Sequence, residues 1–315
     1  MIPRILIVSD RSGGRSKGLA SRLRRRGAIV RSVPLASIGF DTSTPSGLAI
    51  PAFGGALPHA VLVRSIDGGS FEAVTRRLGV LHAFAKVSVP VWNSAQSIER
   101  CVDKSTTTFL LKNAGLATPE TFAVEGLEAA QAVAARELPK GPLVLKPLFG
   151  AQGRGIRLVE KLSDLPAIEE VNEVYYLQRY MKRPGPPFRD FRVFVCGGAA
   201  VAMMSRRGGD WITNVNRGGM PERVPAGEQD DLATLAVAAA RAVGADFAGI
   251  DILRDADGQL SVLEVNSMPA WSGLQSVADV DIADAIAEAL LKFLADRAEA
   301  AAPPRPYRFA VPANS

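Results

Sequence analysis

Three oxygen-bearing side chains near the end of the chain have the types and spacing of a metal site: Asp251, Glu264 and Asn266. Residues 249–253 and 260–266 are apolar runs, and Asp255-Ala-Asp-Gly258 between them is turn sequence. Pairing 255 with 258 across a two-residue turn places 251 opposite 262. Strand alternation then sets 262, 264 and 266 on the face of 251. Two carboxylates and an amide oxygen on one face are hard ligands. They suit Mg²⁺, which keeps waters and completes its shell with phosphate oxygens. The plain alternative is acids at strand ends facing water. Against it, Glu264 stands inside Val262-Leu-Glu-Val-Asn266, and a carboxylate buried in a core strand needs a partner.

Magnesium held in this way implies a nucleotide, and the phosphates need cations and backbone donors. Lys146-Pro-Leu-Phe-Gly-Ala-Gln-Gly-Arg-Gly155 ends a strand on a lysine and opens a loop with three glycines. Glycine lets main-chain N–H groups approach phosphate oxygens, and Lys146 supplies a point charge. The order differs from a Walker A loop, because the lysine precedes the glycines. Lys104, in Val-Asp-Lys-Ser, is a second candidate and by itself an ordinary helix lysine. The loop Ser9-Asp-Arg-Ser-Gly-Gly14 does not match G-x-G-x-x-G and reads as a plain strand-to-helix turn.

The elements that must position these residues fall into three units: 1–95, 96–186 and 187–301. In the first, apolar runs at 5–8, 28–33, 60–63 and 89–92 alternate with helical spacing at 17–26 and 71–84. That βαβ rhythm predicts a parallel sheet covered by helices. Residues 39–58, rich in Gly, Pro, Ser and Thr, read as a surface loop. The second unit predicts a helix over 97–112 stopping at Gly115, strands at 121–124, 143–146, 156–159 and 174–177, and a helix over 127–137. The third predicts strands at 191–195, 200–204, 249–253 and 260–266 with helices over 230–243 and 282–301. Residues 302–315, proline-rich and aperiodic, read as a disordered tail.

Composition narrows the function classes. Of 315 residues, 47% are apolar and 22% charged, ordinary for a globular protein. No apolar run approaches the roughly 20 residues needed to span a bilayer, and the N-terminus reads as a core strand rather than a signal peptide. Two cysteines in unrelated contexts, Cys101 and Cys196, point away from a disulfide framework and toward a reducing cytoplasm. The net charge of +5 is spread along the chain apart from Arg22 to Arg26. A positive site for anionic substrates explains it better than nucleic-acid binding. His59 and His82, the only histidines, read as surface or packing residues.

Taken in order, the motifs are specific. D-K-x-x-x-x-x-L-L from Asp103 is followed by K-P-x-x-G-x-x-G-x-G from Lys146, then Tyr176-Leu-Gln-Arg-Tyr180, D-x-R at Asp190 to Arg192, and D…E-V-N. The set resembles the ATP-grasp superfamily and, within it, the RimK-like α-L-glutamate ligases, from about Ile5 to Ile286. Further telling stretches are Asn93, residues 209–219 and residues 263–269. The resemblance implies an α/β protein of α+β lobes, an ATP-grasp fold behind an N-terminal Rossmann-like domain. Lys104 and Lys146 then match the two ATP-phosphate lysines, and Gly150, Gln152, Gly153 and Gly155 belong to the phosphate loop. Gln178, Arg179 and Tyr180 match the segment that reads adenine, and Asp190 matches the carboxylate that meets the ribose. Arg192 matches the arginine that stabilises the acyl-phosphate and tetrahedral states. Asn214 and Arg217 fall in the loop lining the phosphate and acceptor region. Asp251, Glu264 and Asn266 match the ligands of two Mg²⁺ ions, with Mn²⁺ as a substitute and Glu264 as the bridge.

Two positions depart from the family pattern. An acid is usual where Arg179 stands, and a basic residue is common where Ile212 stands; Arg206 or Arg207 could supply that charge. The resemblance implies an enzyme that activates a carboxylate as an acyl phosphate and joins it to an amine. Its substrates would be L-glutamate and an anionic acceptor, either a glutamyl-ended coenzyme or a protein C-terminus. A ligase for another amino acid is the first alternative, motivated by Ile212, and a non-catalytic ATP-binding module is the second. Family members also suggest a dimer or tetramer.

Overall fold

The computed structural model describes residues 2–10, 14–150 and 153–300. The tail at 302–315 and Gln152 lie outside these residues. A four-stranded parallel sheet has the order Ile29–Val33, Arg4–Ser9, Ala60–Ser65, Val91–Trp92. Its two central strands are apolar on both sides because both faces are covered. Leu6, Val8, Val61 and Val63 pack under helix Phe71–Lys86. Ile5, Ile7, Ala60 and Leu62 share a cluster with Leu19 and Leu23 of helix Gly14–Arg25 and with Ile286 and Leu290 of helix Ile282–Ala300. The last helix thus returns to the first sheet.

An antiparallel sheet follows, ordered Thr121–Glu125, Val174–Arg179, Leu143–Lys146, Arg157–Val159, and helix Leu127–Glu137 packs against it. A five-stranded antiparallel sheet has the order Met220–Glu222, Ala199–Gly208, Phe188–Cys196, Phe247–Arg254, Leu260–Asn266. Helix Gln229–Val243 covers one of its faces. The opposite face carries the polar side chains described below.

Three details differ from the sequence expectations. The helix expected over 97–112 is two helices, Ala95–Val102 and Lys104–Asn113. Asp103 breaks it by capping the second, its carboxylate accepting from the N–H groups of Ser105 and Thr106. Lys104 is thereby the first residue of a helix, not a mid-helix lysine. The loop at 39–58 contains a small ribbon, Gly39–Phe40 against Leu48–Ala49. Finally, Asp251 pairs with Glu264 rather than residue 262, and a bulge beyond it sets Ile252 against Val262. Leu263 is the additional residue, so Val262 turns into the apolar cluster while Glu264 stays beside Asp251.

Two contacts hold the sheets together. Arg22 pairs with Asp281 just before the last helix, and Arg26 pairs with Asp284 and Glu288 within it. Asn93 is fully buried and uses its whole amide. Its Nδ2 donates to the carbonyls of Phe247 and Ser267, and its Oδ1 accepts from the N–H groups of Asp246 and Phe247. Asn93→Ala should lower unfolding free energy by about 3 kcal/mol or more, because four main-chain groups, three of them in buried hydrogen bonds, lose their partner. Urea denaturation measures this; a midpoint unchanged from wild type would show that the joint is dispensable.

Candidate active site

The polar face of the five-stranded sheet is set by register. Arg192, Asp251 and Glu264 lie in one row across three strands, and Asp190 lies opposite Arg206 in the next. Arg192 grips both Asp251 oxygens, with Nη2 at 2.6 Å from Oδ2 and Nε on Oδ1. Arg206 binds Asp190 in the same two-pronged way at 2.7 and 2.6 Å, and its Nη2 lies 3.2 Å from Asp251. Asp190, Arg206 and Asp251 are buried. Burial alone would raise the Asp251 carboxyl, but the charges and hydrogen bonds of Arg192 and Arg206 hold it below the usual carboxylate value. Burial would likewise lower Arg206; Asp251 and Asp190 outweigh it and raise the guanidinium.

Glu264 is half-buried, and Lys104 Nζ is 3.8 Å from its Oε1. Lys104 also donates to the carbonyls of Leu148 and Gly150, so it joins the glycine loop to the acid. Asn266 gives its amide N–H to the Gly249 carbonyl, which leaves its oxygen for a ligand. Among the described residues no group of three His, Cys, Asp or Glu side chains forms a metal cluster. Glu264 and the Asn266 amide oxygen nevertheless fit Mg²⁺, which takes few protein ligands and needs hard oxygens, and Asp251 would join them only by sharing an oxygen that Arg192 now holds.

Lys146 and Gln178 belong to the antiparallel sheet. Lys146 Nζ donates to Gln178 Oε1 at 2.5 Å, and Gln178 Nε2 donates to Thr121 and Tyr176 hydroxyls. Gln178 is therefore a fixed post for the lysine. The Lys146 ammonium is pulled down to about 8, chiefly by removal from water. Lys104 adds to the effect, and Glu264 and Asp251 oppose it.

The glycine loop is fastened from the other side. Arg217 donates to the Gly153 carbonyl at 3.1 Å. Gly153 has φ +70°, and a Cβ there would lie 2.7 Å from Asn214 Oδ1 and 3.0 Å from Ile212. Ile212 is buried beneath the loop, while Arg206 supplies a cation on the sheet and Arg207 pairs outward with Glu222. The Arg179 side chain does not point toward a nucleotide. It bonds Glu137 at 2.6 Å and the carbonyls of Glu137 and Gly141. The main-chain N–H groups of Arg179 and Tyr180 donate to Glu120 and Pro142 carbonyls, so an adenine edge would find only their carbonyl oxygens. The Tyr180 ring stands edge-on to Trp211, with centroids 5.6 Å apart. Asp190, with both oxygens on Arg206, is tied into the sheet rather than presented to a ribose.

A cavity of about 370 Å³ opens on this face, with Arg192, Arg206, Asn214, Glu264 and Asn266 in its wall. Its other wall comes from the ends of the two central parallel strands, including Ser9 and Ser65. Such a crevice at strand C-terminal ends is where open α/β sheets take ligands. Neither cysteine is equipped as a nucleophile, since both are buried and burial pushes each thiol up to about 12.

A family model described as the RimK-like ATP-grasp domain matches residues 101–290. The chain belongs to the RimK-like ATP-grasp family. It is thereby an ATP-dependent carboxylate–amine ligase. The tetrahydromethanopterin:alpha-L-glutamate ligase of Methanosarcina acetivorans is 34% identical over 269 residues, 75% of this chain and 80% of that protein. The enzyme of the same name from Methanococcus maripaludis is 36% identical over 211 residues, 65% of this chain and 70% of that one. The ATP-grasp ligase PsnB, solved with a minimal precursor, superposes with TM-score 0.70 at 21% identity, over 92% of this chain and 99% of that chain. Among the ligase's described residues no helix is long and apolar enough to cross a membrane.

The Lys146 environment can be tested on the ligase directly. With dimethylated lysines, one NMR resonance should titrate near pH 8 and vanish in Lys146→Met. A set titrating entirely near the ordinary 10.5 would contradict the placement. The stability sign follows. Because the folded value is the lower one, the cost of this charged lysine is present below about pH 8 and disappears as pH rises toward 10.5.

Proposed function

We propose that the ligase uses ATP and Mg²⁺ to join L-glutamate to the carboxylate end of an acceptor, a glutamyl-ended coenzyme or a protein C-terminus. The observation that carries the reading is that Lys104 joins the glycine loop to Glu264, a residue of the cavity wall. The names of the two archaeal relatives supply the glutamate. The buried position of Ile212 weakens the case for a different amino acid, because that departure lies beneath the loop.

In this reading Lys104 and Lys146 hold the phosphates, and loop N–H groups contribute where glycine leaves room. Glu264, Asp251 and Asn266 would hold two magnesium ions. Bound magnesium would offset negative charge on the β- and γ-phosphates. The acceptor carboxylate attacks the γ-phosphorus, the bond to ADP breaks, and an acyl phosphate forms. The amine of glutamate attacks the acyl carbon, phosphate leaves, and the amine gives up a proton. Arg192, anchored by Asp251, faces the charge that builds on the acyl oxygen, and Arg217 keeps the loop over the site. The cytoplasm, which supplies ATP and keeps both thiols reduced, is the compartment we assign.

Incubating the ligase with Mg·ATP, single amino acids and candidate acceptors, and following phosphate release and product mass, tests the proposal. Glutamate should be incorporated, and turnover confined to another amino acid would reject the glutamate assignment. Glu264→Ala should reduce metal-dependent turnover at least about a hundredfold with the fold intact. Surviving activity would remove Glu264 from the metal site.

A further inference from the structure

Arg64 stands at the end of the cavity that the phosphate chemistry leaves unused. It follows four fully buried apolar residues, Ala60 to Val63, and is itself 7% exposed. Its Nη2 donates to the Pro269 carbonyl at 3.0 Å. Its guanidinium lies 4.1 Å from the centroid of the Trp271 ring and 5.6 Å from that of Phe247. Arg64 lines the cavity beside Ser9, Ser16 and Ser65. The three hydroxyls form a chain, Ser9 to Ser16 at 2.9 Å and Ser9 to Ser65 at 3.4 Å.

The cavity's other arginines, Arg192 and Arg206, belong to the five-stranded sheet and are engaged by Asp251 and Asp190. Arg64 comes from the parallel sheet. A planar cation clamped by ring faces and a carbonyl is pre-organised, so little side-chain entropy is lost when it receives a carboxylate. Serine hydroxyls next to it can donate to the same group. An amino acid entering as a nucleophile must keep its amine toward the Glu264 end while its carboxylates are held elsewhere.

We propose that Arg64, with Ser9, Ser16 and Ser65, forms the carboxylate subsite for the amino acid that enters as the amine. The proposal rests on the ligase reading of the cavity's other end. Carboxylate is also the chemistry of the acceptor, so the test separates the two sources.

The full chain, saturated with Mg·AMPPNP, is titrated calorimetrically with each amino acid and with N-acetyl-L-glutamate, which has the carboxylates but no free amine. Arg64→Met should weaken L-glutamate binding about tenfold to a hundredfold, as expected for losing a charge-assisted pair, and change AMPPNP binding less than about twofold. Arg64→Lys keeps the charge, loses the fork, and should weaken L-glutamate by about threefold to tenfold; it carries the test if the methionine variant does not fold. Binding within experimental error of wild type in either folded variant overturns the proposal. So does a loss confined to N-acetyl-L-glutamate, which would move Arg64 to the acceptor. Wild type that binds AMPPNP but no amino acid also overturns it. If another amino acid binds with the same Arg64 dependence, the subsite stands and the glutamate assignment falls.

Discussion

The arrangement of the site depends on four charges on one sheet face, three of them buried and the fourth, Arg192, partly so. Asp190, Arg206, Asp251 and Arg192 sum to zero, and each carboxylate has both oxygens occupied by a guanidinium. Charges withdrawn from water are tolerable only with such complete pairing. The array also fixes register. Sliding one strand by a single residue would turn its charged side chains into the apolar cluster behind and leave their partners alone. Side-chain placement at the candidate site and strand alignment are therefore the same constraint, and Glu264 takes its place next to Asp251 as a result.

The antiparallel sheet solves a different problem. Lys146 loses most of its water, yet a Gln178 oxygen fixes the ammonium, and two hydroxyls fix that glutamine. A neutral acceptor orients the cation without neutralising it, so the positive field remains for an incoming anion. Arg179, next in the strand, turns instead to the buried Glu137 and closes the back of the same sheet. Adjacent residues with alternating side chains thus serve the cavity and the scaffold respectively.

Much of this was legible in the chain. Apolar runs and helical spacing gave the parallel sheet, and the order of lysines, glycines and acids pointed to the family later matched at residues 101–290. The face shared by Asp251, Glu264 and Asn266 was also correctly anticipated, although for a partly wrong reason. The bulge at Leu263 depends on packing between strands, and no local residue signals it. Arg206 was visible only as one of two candidates, because its partner Asp190 is sixteen residues away and met by register alone. The strand expected to end at Val63 hid Arg64, since a charged residue normally marks the end of a buried run.

Asn93 joins the parallel sheet to the five-stranded sheet entirely through main-chain atoms of residues 246, 247 and 267. A joint of this kind reads none of its neighbours' side chains. Its own side chain is exacting: aspartate lacks the two donors, and glutamine carries the amide one methylene too far. Specificity of the joint is thus concentrated in one residue, and the joint itself makes no demand on the side chains at the three positions it holds.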